Sequence, residues 1–219
     1  MDGKMKGMIM AGMMALSLVL GIMAVLGSTW LEMDGPTEDG DVMEGMSTTS
    51  GLNNIYITMD LTKYFDGVAE GECDAMIKEI DDGTDESEYE CKDDDTLVMT
   101  MSISDMCDAA QSDDDTCAAA TAGLMGTIGM WGGVVLALVA TLMMVLPMAG
   151  VDAMDAIPEM GQKVISWGAG GLMLLGMVLW YFMLPEGDST AGMSVWIAGA
   201  AMSIALGSTL IGQFIPTDE

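Results

Sequence analysis

Histidine and arginine are both missing from this chain of 219 residues, and its six basic residues, all lysine, face 34 acidic ones. Without histidine there is no imidazole to relay a proton, act as a base near neutral pH or bind a metal. Without arginine, and at a net charge of −28, nucleic acid is excluded as a partner, because phosphate binding rests on Lys and Arg. The four cysteines form no C-x-x-C pair, which with the lack of histidine speaks against a zinc site. No nucleophile–base arrangement stands out, so the chain reads as a non-enzyme. Charge is also missing from four long stretches, residues 7–28, 118–148, 164–184 and 191–215. Each is apolar and long enough to cross a bilayer, which takes ~20 helical residues. Acids and bases inside a membrane usually mark ion paths or proton relays, so their absence argues against an ion-coupled transporter or pump.

What is present is segregated. The mean hydropathy is +0.42, yet 26 of the acidic residues fall within residues 29–117, opposed there only by Lys63, Lys78 and Lys92. That segment therefore carries about −23 (3 − 26) by side-chain counting. The reading is a membrane α-helical protein: a four-transmembrane-helix bundle with a small antiparallel β-sheet domain inserted between the first and second spans. Its parts are residues 1–28 (tail and first span), 29–117 (acidic β domain), 118–148 (second span), 149–163 (inner link), 164–184 (third span), 185–190 (short outer link), 191–215 (fourth span) and 216–219 (tail). Lys4 and Lys6 precede the first span and Lys163 precedes the third. The positive-inside rule then puts both termini in the cytoplasm and the acidic domain outside, in a multi-pass protein of the cell membrane. The first apolar run exceeds the ~7–15 residues of a signal-peptide core, so it reads as a retained helix.

Two pieces of the acidic domain alternate with period two, the mark of strands with one buried and one wet face. In residues 55–65 the apolar series is Ile55, Ile57, Met59, Leu61 and Phe65; the second piece carries Leu97, Met99, Met101 and Ile103. Further strands are expected at Trp30-Leu31-Glu32-Met33 and at residues 87–92, and a short helix around Met76, Ile77 and Ile80. Residues 104–117 read as a loop or helical turn leading into the second span. Cys73, Cys91, Cys107 and Cys117 all lie here, and an even number on an oxidising face reads as two disulfides. Four cysteines allow three connectivities, of which Cys73–Cys91 with Cys107–Cys117 closes the shortest loops. The clusters Asp93-Asp94-Asp95 and Asp113-Asp114-Asp115 match no EF-hand loop. They read as solvated carboxylates that screen divalent cations loosely, with no cofactor implied.

In the spans, small residues recur at four-residue steps: Ser17 and Gly21, Gly129 and Gly133, and Gly199, Ser203 and Gly207. Such steps let helices approach closely, within the chain or between copies. The hydroxyls of Ser17, Thr127, Thr141, Ser166 and Ser203 are expected to bond to their own helices. Trp30, Trp131, Trp180, Tyr181 and Trp196 lie mostly toward span ends, where amphipathic rings favour the interface. Methionine occurs 27 times, with Met8, Met10, Met13, Met14, Met144 and Met148 toward the inner end. Thioethers bind Cu(I), but no cysteine- or histidine-rich tract accompanies them, so they read as flexible core filler.

The assembled topology resembles that of the claudin and peripheral-myelin-protein group. Trp30 stands just beyond the first span, where that group carries a tryptophan, and Gly51-Leu52 resembles the start of its Gly-Leu-Trp signature, with Asn53 in the tryptophan position. Cys73 and Cys91 stand for its cysteine pair at a wider spacing, while Cys107 and Cys117 are an addition. The resemblance implies a non-catalytic protein whose outer sheet contacts other membrane proteins or a second copy of itself. Two further readings follow from the residues: an accessory subunit of a larger membrane complex, and a pore toward which the acidic domain draws cations.

Overall fold

The computed structural model describes residues 3–33, 37–38, 41–42, 45–64, 73–74, 77, 87–93, 95–109, 114–147, 150, 158–185 and 189–214. In chain order these form α1 (Gly3–Leu26), β1 (Leu31–Met33), β2 (Thr37–Glu38), β3 (Asp41–Val42), β4 (Met46–Ser50), β5 (Asn54–Asp60), α2 (Leu61–Tyr64), β6 (Ser87–Asp93) and β7 (Thr96–Ser102). There follow α3 (Ile103–Ala109), α4 (Asp114–Val145), α5 (Glu159–Met183), β8 (Ser189–Ala191) and α6 (Met193–Phe214). The chain divides into a helical unit of Met1–Gly27, Met125–Phe182 and Met193–Glu219, and a sheet unit of Ser28–Leu124 and Met183–Gly192.

Helices α1, α4, α5 and α6 are each long and apolar enough to cross a membrane. Their ends follow local chemistry. At the end of α1 the Gly27 N–H donates to Ala24 O (3.2 Å). Pro147, which cannot supply a helical N–H, closes the last turn of α4, and Pro158 opens α5 by accepting from the N–H of Gly161 (2.8 Å), the end of a helix that suits proline.

The helical unit is packed inside out relative to a protein in water. Most of its buried positions are small or hydroxylated, among them Ala11, Ser17, Ala24, Ala137, Ala140, Ala169, Ala198, Ala201, Ala205 and Ser208. Its exposed positions include Leu16, Val19, Ile128, Val135, Leu138, Val164, Leu175, Phe182 and Phe214. In water that much contiguous apolar surface drives association. In hydrocarbon nothing is gained by hiding a leucine, and close backbone packing of small residues holds helices together instead.

Backbone approach is tightest between α4 and α5. A Cβ built on Gly129 would overlap the Gly176 backbone, and one on Gly176 would come within 2.8 Å of Gly129 Cα. One turn on, a Cβ on Gly133 would lie 2.8 Å from Ala169 O. Hydroxyls tie α6 to its neighbours: Ser17 Oγ on α1 donates to Ala201 O (2.7 Å), and Ser208 Oγ donates to Met10 O (3.1 Å). Thr209 Oγ1 is shared between Ser166 O on α5 (3.2 Å) and Ala205 O of its own helix (3.1 Å). Met14, Met130 and Met173 are completely buried in this unit, flexible thioethers filling the space left between small-residue contacts.

The sheet unit holds a six-stranded sheet of order β6-β7-β5-β4-β1-β8, with every pairing antiparallel, and a separate β2-β3 pair. Its edge strand β8 comes from the segment between the third and fourth long helices. The sheet is thus not built wholly from the stretch between the first two spans, and the link expected at residues 185–190 contributes a strand. Two other expectations shift. The strand expected over residues 55–65 stops at Asp60, because α2 begins at Leu61. Ile103 likewise opens α3 instead of ending β7. The helix expected around Met76, Ile77 and Ile80 falls, apart from Ile77, outside the described residues, as do Phe65, Lys78, Met148 and, from the two triple-aspartate clusters, Asp94 and Asp113.

Candidate functional site

Cross-strand register assigns the side chains of the sheet to two faces, since directly paired residues point the same way. One face carries the row Tyr89, Met99, Ile57, Thr48 and Met33, flanked by Met101, Ile55 and Leu31 on one side and Cys91, Leu97, Met59 and Met46 on the other. The opposite face is polar: Glu88, Thr100, Tyr56, Thr49, Glu32 and Thr190 form one row across all six strands. Beside it run Glu90, Val98, Thr58 and Ser47. Glu32, Glu88 and Glu90 are exposed.

The apolar face is held by a small core in which Leu61, Cys73 and Leu97 are buried and Met59, Ile77, Tyr89 and Cys91 pack against them. The Cys73–Cys91 disulfide runs through this core, and a second disulfide joins Cys107 to Cys117. This is the connectivity of shortest loops. Leu61 therefore reaches the core from the first position of α2, not from a strand. Asp60 makes that turn: its Oδ1 accepts from the Thr62 N–H (3.2 Å) and Thr62 Oγ1 (2.7 Å), and its Oδ2 lies 3.3 Å from Lys63 Nζ. The Thr62 hydrogen bond, with further help from Lys63 and against some desolvation, lowers the Asp60 carboxyl below its ordinary range. A side-chain oxygen accepting from the second residue of a helix is an N-cap. Gly45, in the turn before β4, has φ +95, a conformation that favours glycine, and its carbonyl accepts the Asp60 N–H (2.7 Å).

Trp30 is fully buried; its N–H donates to Ser50 O (2.7 Å) and its carbonyl accepts from Gly192 (2.9 Å). Leu52 is also buried, whereas Asn53 is exposed and its carbonyl accepts from the Ile103 N–H (2.9 Å). A Cβ on Gly123 would overlap Leu52 O, so only glycine suits that place on α4. Trp180 is buried too, while Trp131, Trp196 and Tyr181 are exposed. Trp30 and Trp180 are thus buried within their own units.

Of the small-residue steps, Gly129 and Gly133 meet α5, and a Cβ on Gly21 would lie 2.9 Å from Val134 and 3.0 Å from Met173. The steps on α6 fall elsewhere. Nothing lies within 4 Å of a Cβ on Gly199, Ser203 is exposed and donates to Gly199 O of its own helix (2.7 Å), and Gly207 has only Met13 at 3.4 Å. The buried line of α6 is Ser194, Ala198, Ala201, Ala205, Ser208 and Thr209, so the Gly199–Ser203 step is not a packing seam within the chain. Ser17 also departs from expectation by bonding across to α6, whereas Thr141 bonds to Ala137 O of its own helix (2.7 Å).

Among the described residues, concavities occur in each unit. One of about 510 Å³ in the sheet unit lies beside the Cys107–Cys117 disulfide, lined by Asn53, Ile103, Ser104, Asp108, Thr121 and Leu124 among others. Another, of about 370 Å³, lies in the helical unit where Met10, Met144, Lys163 and Gln213 meet. Among the described residues no group of three or more Cys, Asp or Glu side chains is placed to hold a metal ion. A scan against protein-family models finds no match, and neither does a search of curated proteins.

Proposed function

We propose that this is a non-catalytic, multi-pass protein of the cell membrane, claudin-like in topology, whose acidic outer sheet docks other membrane proteins. The observation that carries this reading is the polar face of the sheet. It is a continuous six-strand surface set with the exposed carboxylates Glu32, Glu88 and Glu90, and the Cys73–Cys91 disulfide ties its edge strand β6 to the core beneath. A surface already ordered by strand pairing in the free protein suits protein–protein contact, because less ordering cost remains to be met on binding. Its charge selects a partner that presents lysine or arginine, since like charges facing one another oppose docking.

The test places lysines in the middle of that face. In the Tyr56→Lys, Thr100→Lys double variant, crosslinking to neighbours in native membranes is expected to fall at least about tenfold, with both disulfides still formed. Undiminished crosslinking would remove the sheet face as the contact. The alternative reading, an accessory subunit held through its helices, is supported by the open Gly199–Ser203 step. It requires that Gly199→Leu, not the lysine pair, ends the association.

A further inference from the structure

One end of the helical unit gathers features that the outer sheet does not use. There the start of α1, the end of α4, the start of α5 and the end of α6 enclose the cavity of about 370 Å³. Its wall combines Met10 and Met144 with Gln162, Lys163, Gln213 and Gly212. Lys6 Nζ donates to the Gly212 carbonyl (3.0 Å) and so stands at the same rim. In a chain with only six basic residues, the fold brings two of them to one small concavity.

We propose that this cavity binds the phosphate of an anionic phospholipid. The chemistry fits from both sides. Two ammonium groups and two carboxamides offer hydrogen-bond donors to a phosphodiester, and the methionines offer a surface for the upper part of an acyl chain. The depth fits a lipid: Lys6 directly precedes the uncharged run at residues 7–28 and Lys163 the one at 164–184. Lysines at that boundary lie level with the phosphates of a bilayer, and basic pockets between helices bind anionic headgroups there. The hydroxyl of Thr209, which also lines the cavity, is used to tie α6 to α5 and steadies the wall.

The surrounding charge makes the inference specific. Asp2, Asp152, Asp155, Glu159, Asp218 and Glu219 flank these helix ends in the sequence, and the whole chain is at −28. The long-range field therefore repels anionic lipid, so selective retention of such a lipid requires a local site. The inference depends on the helices lying in a bilayer and is independent of what the sheet docks.

The test uses the full chain in micelles containing equal amounts of phosphatidylglycerol and phosphatidylcholine with identical acyl chains, with retained lipid counted by native mass spectrometry. The native chain is expected to retain phosphatidylglycerol about tenfold over phosphatidylcholine. The Lys6→Gln, Lys163→Gln double variant is expected to lose that preference, and Lys63→Gln, Lys92→Gln to keep it. Because Lys6 also bonds to α6, Lys163→Glu serves as a second variant: it alters one exposed side chain, leaves the Lys6–Gly212 bond in place and is expected to abolish the preference. No preference in the native chain, or a preference that survives Lys163→Glu, would overturn the site. Loss of phosphatidylglycerol to millimolar inorganic phosphate would assign the cavity to the free ion and overturn the lipid.

Discussion

Replacing Gly129 by leucine is expected to take apart the pairing of α4 and α5. At this point the two backbones touch through Gly129 and Gly176, and a side chain on either runs into the main chain of the other. A clash with the far end of a side chain can be relieved by a rotamer change; a clash with backbone cannot. Overpacking commonly costs ~1–3 kcal/mol, and here at least the upper end of that range is expected. The same substitution at Gly199 meets open space, so its effect on folding is expected to stay within about 0.5 kcal/mol. Unfolding of the two variants by SDS titration in mixed micelles checks the contrast. Equal stability of Gly129→Leu and the native chain would contradict the α4–α5 contact.

The second large effect is expected at Cys73 and Cys91. Their disulfide closes a loop of sequence separation 18, against 10 for Cys107–Cys117. Loop-closure entropy grows only with the logarithm of length, so on that ground each bridge contributes about 3 kcal/mol and the two differ by a few tenths. Burial separates them. Cys73 is 1% exposed within the Leu61–Leu97 core, whereas Cys107 and Cys117 are half-buried. Cys73→Ala with Cys91→Ala therefore loses packing as well as the tether. Amide hydrogen exchange in β5 and β7 is expected to accelerate by at least about 100-fold in that variant and less in Cys107→Ala with Cys117→Ala. Equal protection in both would mean that the bridges act through chain entropy alone.

Much of this architecture was legible because two strong patterns carry it. Uncharged runs longer than a bilayer gave all four long helices to within a few residues at most ends, and period-two alternation found β5 and β7. Strands β4 and β8 were not legible. In Met46–Ser50 the residues on the apolar face are Met46, Thr48 and Ser50, and in Ser189–Ala191 three residues are too few to show a period. Both become strands by pairing with β1, a tertiary cause that no local pattern reports. The turn at Asp60 escaped because Leu61 continues the apolar alternation while Asp60 and Thr62 supply a cap. Helix packing was half legible. The α6 sequence sets Gly, Ala and Ser on several faces at once, so spacing could not choose between the Gly199 line and the buried Ala198–Ala205 line. What chose was the partner: Ala201 lies where Ser17 can donate to its carbonyl.

The polar face of the sheet was visible only as the alternate positions of two strands. Its extension to Glu32 and Thr190 depends on the register of β1 with β4 and β8. The lysine-rimmed cavity was less legible still, since Lys6 and Gly212 are 206 residues apart.

In the proposed topology a bilayer separates the acidic sheet from the end of the helices that carries Lys6 and Lys163. The most direct test is labelling of sealed, intact cells with a membrane-impermeant amine reagent, followed by mass spectrometry of the protein. Modification is expected at Lys63 and Lys92 with Lys6 and Lys163 protected until the cells are opened. Labelling of Lys163 in intact cells while Lys63 and Lys92 stay unmodified would contradict it.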